Sequence, residues 1–301
     1  MLPQQNVPGS VDIANQPVNV DITNSPPQSV GIAGQPIEVK GTITDDPRFV
    51  ASRDGALNGK STYLWHLTGR RGGTGASDFA STSVYNDLAP FLGTGAATLP
   101  ADPVGANTEV VSSSANDTSA GTGARVVRVT YLDVNGNVAH SNVTMNGVTP
   151  VSLAGVVYHP LWLEVSTVGS GGVAAGNIDF RNTSSPTTIY DRIVAGFNKS
   201  RAGRMTVPAG YNGYLSHWQV NAISADGDYS IAALRFTEDG SISTVLHTVD
   251  LLFVPSNNST GDELDFIKCP PLSLVNIRVI PSSSAAAVRM DASFGMLLVQ
   301  Q

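Results

Sequence analysis

The side chains best suited to catalysis or metal binding are five histidines and one cysteine. Ligands to one zinc ion commonly stand a few residues apart, so that one strand or helical turn presents them together. No histidine has a second histidine two or four positions away; the five are His66, His140, His159, His217 and His247. Cys269 precedes two prolines, with no recognisable histidine phrase to activate a thiolate. The sequence therefore predicts neither a metal site nor nucleophilic catalysis.

Carboxylates cluster in three places. Residues 133–137 begin like a calcium loop but lack its central glycine and distal glutamate, and a hairpin turn accounts for them. The clusters at 226–228 and 262–265 are expected to be solvated turns, with a structural calcium ion as the alternative. Glycoside hydrolysis requires paired acids across an aromatic-lined groove, and only 7% of the residues are aromatic. We therefore expect no enzyme activity and no cofactor.

Composition favours a turn-rich β protein. Charged residues make up 14% of the 301 residues, against roughly a quarter in typical soluble domains. A net charge of −7 argues against nucleic acid as a partner, because phosphate binding needs an excess of Lys and Arg. The basic pair Arg70-Arg71 is expected on a mobile loop. A single cysteine excludes an intrachain disulfide, and we expect no secretion signal, no membrane partner and folding in a host cytoplasm.

The N-terminal residues 1–46 contain a short repeat. Each copy places two β-branched residues two positions apart, on one face of an extended chain, and then has a turn residue and a proline. Such a segment buries too little apolar surface to offset its ordering entropy, so it must extend against another surface or stay disordered. We expect it to be an anchoring arm whose contact residues are Val11, Ile13, Val20, Ile22, Val30, Ile32, Ile37 and Val39.

Beyond the arm, the pattern is that of antiparallel strands. Two Asn-Gly pairs, at 135–136 and 146–147, stand between β-rich runs and predict a meander of three strands. About eight further strands are expected between Tyr190 and Val299, and one short helix over 78–88. The predicted fold class is all-β: an extended arm over 1–46, a first β-sandwich with that helix over 47–186, and a second, jelly-roll-like β-sandwich over 187–301.

One long phrase, Glu109-Val-Val-Ser-Ser-Ser-Ala-Asn-Asp-Thr-Ser-Ala-Gly-Thr-Gly-Ala-Arg-Val-Val127, is similar to a phrase in virion structural proteins of tailed bacteriophages, particularly phages of aquatic bacteria. Phrases at 146–151, 168–178 and 207–215 resemble the same family. The resemblance implies a non-enzymatic virion component of the capsid-decoration, head-spike or fibre type.

Several residues in and near the long phrase invite a structural interpretation. Gly121 and Gly123 lead into a strand, where small residues permit close backbone approach or a bulge. Arg125 is expected to form a structural ion pair with Asp117 or Asp133 rather than to recognise a ligand.

The sequence as a whole predicts a virion protein that binds other virion proteins. We expect a homotrimer on the capsid exterior, with the major capsid protein as its main partner and the arm as its anchor. The alternative is a tail fibre or spike subunit whose C-terminal sandwich binds a host glycan or protein. That alternative predicts exposed aromatic residues near the loops at 211–214 or 256–263.

Overall fold

Strands and turns make up the described part of the computed structural model, which comprises residues 62–72, 85–92, 98–223, 229–236, 247–255, 258–281 and 289–301. The arm and all eight of its expected contact residues lie outside this part, so the arm stays a prediction. The described residues contain no helix, and hence none long and apolar enough to cross a membrane.

Sixteen strands are described, all antiparallel to their neighbours. In chain order they are β1 (Thr62–Gly72), β2 (Asn86–Asp87), β3 (Thr108–Ser112), β4 (Ala124–Leu132), β5 (Val138–Thr144), β6 (Val151–Ser152), β7 (His159–Val168), β8 (Ile178–Asn182), β9 (Ile189–Ile193), β10 (Arg204–Thr206), β11 (Tyr211–Ile223), β12 (Tyr229–Phe236), β13 (His247–Pro255), β14 (Asn258–Cys269), β15 (Leu274–Ile280) and β16 (Arg289–Gln300).

The C-terminal sandwich has one sheet in the order β1-β16-β11-β14 and a second in the order β10-β15-β12-β13, with β2 paired to β15. Alternate residues of β16 point into the core between them, from Met290 through Phe294 to Leu298. The opposing sheet contributes Val275, Ile277 and other residues to the same cluster. Period-two alternation places the apolar residues of each strand on one face, and this face forms the core.

The N-terminal sandwich has sheets in the orders β6-β3-β8-β9 and β5-β4-β7. Val127 and Val129 of β4 meet Ile178 and Phe180 of β8 in a second, separate hydrophobic cluster. The ring of Phe180 packs 5.6 Å from that of Tyr190, centroid to centroid. The prediction of an all-β chain built from antiparallel sandwiches is confirmed.

Two early strands lie in the C-terminal sandwich rather than in the N-terminal one. β1 pairs with β16 along its whole length, and β2 pairs with β15. The range 47–186 expected for the first domain thus includes strands that complete the second sandwich, because strand pairing depends on partners remote in sequence. The boundary between 186 and 187 stays a prediction. Of the helix expected over 78–88, residues 78–84 lie outside the described part, and Asn86–Asp87 is strand instead.

The basic pair expected on a mobile loop lies in β1. Arg71 is fully buried, and its guanidinium donates to the backbone carbonyl of Asp87 at 3.0 Å. The Asp87 carboxylate accepts from Arg278 at 2.6 Å and from the Asn276 amide at 3.1 Å. Through these hydrogen bonds Arg71 and Asp87 form a polar connection between β1, β2 and β15. Such bonds offset the cost of burying the charge of Arg71.

One of the two predicted Asn-Gly hairpins is confirmed. Leu132 of β4 faces Val138 of β5 across a turn in which Gly136 has φ 75° and the Asp133 carboxylate accepts two backbone N–H groups. The turn at 146–147 also forms, but β6 leaves the β5 sheet and pairs with β3. The predicted meander of three consecutive strands is therefore wrong.

Candidate functional site

A buried carboxylate, that of Asp117, lies where three separate stretches of the N-terminal sandwich meet. The side chain is 0% exposed and accepts four hydrogen bonds. One oxygen, Oδ1, accepts from the backbone N–H of Ala124 at 2.6 Å and of Ala175 at 2.8 Å. The other oxygen, Oδ2, accepts from the Ser112 hydroxyl at 2.6 Å and from the Gly176 N–H at 2.8 Å. Dense donation of this kind is what allows a carboxylate to remain buried.

Backbone hydrogen bonds close the same junction. The Gly147 N–H donates to the Asp117 carbonyl at 2.7 Å, and the Ser112 N–H donates to the Gly147 carbonyl at 3.1 Å. Gly169 donates from its N–H to the carbonyl of Gly123 at 2.8 Å. We call this arrangement the Asp117 junction. Three of the phrases that resemble virion proteins, at 109–127, 146–151 and 168–178, converge on it.

The glycines of the long phrase allow the chain to approach itself closely. A Cβ atom on Gly121 would stand 2.0 Å from the Asn116 carbonyl oxygen, and one on Gly123 would stand 2.1 Å from Oδ1 of Asp117. Neither distance is compatible with a larger side chain. The small residues are thus required by the packing of the Asp117 junction.

Arg125 does not form the expected ion pair with Asp117 or Asp133. Its Nε donates to the carbonyl oxygen of Gly121 at 3.0 Å. The four donors already described occupy the Asp117 carboxylate, and the Asp133 carboxylate accepts from its own turn. Instead of Arg125, the two acids accept hydrogen bonds from backbone N–H groups and, at Asp117, also from the Ser112 hydroxyl.

Replacing Gly123 with Ala is expected to lower the free energy of unfolding by about 3 kcal/mol, because the new methyl group must displace a buried carboxylate or break its hydrogen bonds. Chemical denaturation measures the effect. Gly172→Ala is the control: its φ of 73° makes Ala strained, but a Cβ there meets nothing within 4 Å. That variant should lose only about 1 kcal/mol. Equal losses in the two variants would contradict the packing argument.

A cluster of cations surrounds one aromatic ring at a surface cavity of about 170 Å³. The cavity, which we call the basic cavity, is lined by Arg70, Arg192, Lys199, Arg201 and Phe197, among others. The guanidinium carbons of Arg201 and Arg70 lie 4.7 Å and 5.8 Å from the Phe197 ring centroid. These are cation–π distances, so the ring holds two guanidinium groups beside it.

Two of the four cations lie beside carboxylates, and the other two have no carboxylate within ion-pair distance in the described ranges. Arg192 forms a two-pronged pair with Asp179, and Arg70 lies 3.6 Å from Asp291. Within the described ranges no carboxylate lies within ion-pair distance of Lys199 or Arg201. The basic cavity therefore has uncompensated positive charge in a chain whose net charge is −7.

A second cavity, of about 490 Å³, lies beside aromatic side chains of both sandwiches. We call it the aromatic cavity; its rings are those of Trp65, Trp162 and Tyr211. Trp65 and Trp162 are half-buried and meet edge to face with ring centroids 5.1 Å apart. Polar groups of Thr130, Asn137 and His140 also line it. Lys199 connects the two cavities, because it lines the basic cavity and its Nζ lies 5.1 Å from the Trp162 ring centroid.

A third group of polar residues is buried and faces no cavity described above. His159 Nδ1 lies 2.6 Å from Asp102 Oδ2, and Arg204 Nη1 lies 3.2 Å from the other oxygen of Asp102. Nearby, burial raises the pKa of Asp191 to about 6, against the opposing effects of a Ser200 hydrogen bond, a backbone N–H and the Arg204 charge. This group connects β7, β9 and β10.

The remaining residues considered for catalysis are dispersed. His140 lines the aromatic cavity, and His217 lies 3.0 Å from the Ser216 hydroxyl. Burial raises the pKa of Cys269 to about 12, which makes its thiol a poor nucleophile at neutral pH. The described part of the chain contains no group of three His, Cys, Asp or Glu side chains suited to a metal ion. The carboxylates at 226–228 lie outside it.

Sequence reasoning missed both cavities, although one signal was present. Phe197, Lys199 and Arg201 stand at alternate positions, a spacing that places side chains on one face of an extended chain. The contributions of Arg70 and Trp65 come from β1, more than ninety residues earlier, and no local pattern connects them. The alternative of a tail fibre or spike predicts exposed aromatic residues at 211–214; Tyr211 is half-buried, packs partly against the C-terminal core and partly lines the aromatic cavity.

No family model and no curated protein matches the chain. Among solved structures it is similar to a chain of the naturally occurring empty particles of cowpea mosaic virus, at 9% identity and a TM-score of 0.20, over 72% of this chain and 87% of that one. It is also similar to infectious bursal disease virus, Gt strain, at 10% identity and a TM-score of 0.22, over 80% and 72%. The VP2 subviral particle of that virus gives 12% identity and a TM-score of 0.19, over 80% and 71%. Likenesses this weak carry no inference about function.

Proposed function

We propose that the chain is a non-enzymatic structural protein of a virion, anchored on the capsid exterior by its N-terminal arm. The observation that carries the proposal is the Asp117 junction. Phrases at 109–127, 146–151 and 168–178 each resemble tailed-phage virion proteins, and in the folded chain they form one buried arrangement. Three separate stretches that resemble the same kind of protein and also meet in the folded chain support membership of that kind better than a single phrase does.

The arm supplies the second line of support. Its β-branched residues recur on one face of a segment that has too few apolar residues to fold on itself. Such a face suits strand addition to a neighbour's sheet edge or winding with sister copies. We propose a homotrimer bound to the major capsid protein, so that many weak, symmetric contacts act together.

Deleting residues 1–46 is expected to remove the protein from virions while leaving a folded body. The measurement is the protein's occupancy in purified particles made with the variant in place of the native chain, with circular dichroism of the isolated variant to verify folding. Normal occupancy of the truncated chain would contradict the anchoring role.

Sedimentation should give the full chain three times its mass of 31.3 kDa, and a monomer would contradict the trimer.

A matched pair of arm variants separates the apolar face from the arm's length. Replacing Val11, Ile13, Val20 and Ile22 with Ser should reduce occupancy as the deletion does. Replacing Asp12 and Asp21 with Asn changes the opposite face of the same repeats and should leave occupancy within twofold of normal. Imaging of labelled particles distinguishes the alternative, a tail fibre or spike subunit, because label confined to the tail would support that assignment.

A further inference from the structure

We propose that the basic cavity and the aromatic cavity together bind an acidic oligosaccharide, with an acid group of the sugar in the first and sugar rings in the second. The inference depends on the described residues and holds wherever the chain lies in a virion. A chain of sugar rings with occasional negative charges needs one site for the charge and another for the rings. The two cavities differ in this way, and Lys199 lines the first and contacts Trp162 of the second.

The basic cavity has the features of a site for a single anionic group. Lys199 and Arg201 have no carboxylate within ion-pair distance in the described ranges, so both cations can donate to a bound anion. The Phe197 ring supports the Arg201 guanidinium from one side, which leaves its N–H edge free to donate. A planar carboxylate matches that edge with two parallel hydrogen bonds. The volume of about 170 Å³ has room for the carboxylate together with part of the sugar ring that bears it.

The aromatic cavity has the features of a site for sugar rings. Its volume of about 490 Å³ lies within the range of small-molecule sites, and three aromatic rings line it. A pyranose ring has an apolar face of C–H groups and a rim of hydroxyls. The rings of Trp162 and Tyr211, which line the cavity, can contact the apolar part, while Asn137 and His140 supply hydrogen-bonding groups for the rim.

Charge density favours a saccharide over a nucleic acid. A nucleic-acid strand has a phosphate at every nucleotide and needs a continuous basic track, whereas here the cations surround one small cavity. The chain's net charge of −7 repels a dense polyanion. In an acidic saccharide most sugars can be neutral, so a single charged group can be bound locally while the neutral rings rest on apolar surface.

The test uses the full chain and three defined probes: a tetrasaccharide with one uronate and three neutral sugars, the methyl ester of the same tetrasaccharide, and a ten-nucleotide oligothymidylate. Calorimetry at about 0.1 M salt should show binding of the acid form at least 10-fold tighter than of the neutral ester. Failure of the acid form to bind, equal binding of the ester, or tighter binding of the oligothymidylate would each overturn the proposal.

Variants at the two cavities test the assignment of the site. The double variant Lys199→Gln/Arg201→Gln should weaken binding of the acid form at least 10-fold and leave the weak binding of the ester unchanged. Trp162→Leu should weaken both probes. The control is Lys268→Gln, which removes one positive charge from an exposed position on β14. It should change binding less than twofold. Loss of affinity in the Lys268 variant equal to that in the double variant would indicate general charge attraction and overturn the site.

Discussion

Replacing Asp117 with Asn should lower the free energy of unfolding by about 3 to 5 kcal/mol, one of the largest effects expected from an isosteric change in this chain. Both carboxylate oxygens are used, and three of their four donors are backbone N–H groups that cannot rotate away. An amide group offers one acceptor where the carboxylate offers two. Whichever way it turns, an N–H of the amide faces a buried N–H of Gly176, or those of Ala124 and Ala175.

Chemical denaturation of the Asp117 variant provides the measurement, and Asp133→Asn is its matched control. The Asp133 carboxylate also accepts two backbone N–H groups, but it lies in a solvent-accessible hairpin turn, where water can replace a lost partner. The control should lose no more than about 1 kcal/mol. Ser112→Ala removes one of the four donors and leaves the others, so an intermediate loss of about 2 kcal/mol is expected there. An Asp117 variant as stable as the control would show that the junction does not depend on its charge.

The sandwiches were predictable because their strands bury one face each. Alternation of apolar residues in β11 and β16 indicates a strand without reference to any partner, and the Asn135-Gly136 turn specifies its hairpin locally. Pairing of remote strands is different. Nothing near β1 indicates that Trp65 will face Met296, since that register depends on the packing of the whole C-terminal sandwich.

The functional surfaces were less predictable for the same reason. Asp117 looked like a partner for the nearby Arg125, but its donors at 175 and 176 arrive from a loop nearly sixty residues away. A carboxylate's choice between an arginine and several backbone N–H groups depends on which approach it in three dimensions. Basic residues beside glycines predict a loop at Arg70, whereas β1 places Arg70 against Phe197.

Asp191 should make the protein less stable as the pH rises from about 4 to 7. The carboxyl group is buried in β9, and desolvation raises its pKa from 3.8 to about 6 despite a Ser200 hydrogen bond, the Arg192 N–H and the Arg204 charge. The folded protein therefore binds a proton between these two pH values when the unfolded chain does not. Linkage then requires a contribution to stability that is full below pH 3.8 and is lost as the pH rises through about 6.

The size of the effect follows from the shift. A difference of about two pKa units corresponds to about 3 kcal/mol between the two protonation states. In Asp191→Asn the side chain no longer titrates, so the stability of the variant minus that of the native protein should rise by up to about 3 kcal/mol from pH 4 to pH 7. Changes in hydrogen bonding with Ser200 shift this difference equally at all pH values and leave its slope intact.

Urea denaturation of both proteins at half-unit steps from pH 4 to pH 7.5 measures the difference directly. Every other titratable group is common to the two proteins, so the effects of those groups cancel in the subtraction. Ser200→Ala provides a second check, because the Ser200 hydrogen bond lowers the pKa of Asp191, and its loss should move the end of the pH-dependent range above pH 6. A difference that stays flat from pH 4 to 7 would mean that Asp191 is as well solvated in the folded chain as in the unfolded one, contrary to its 2% exposure.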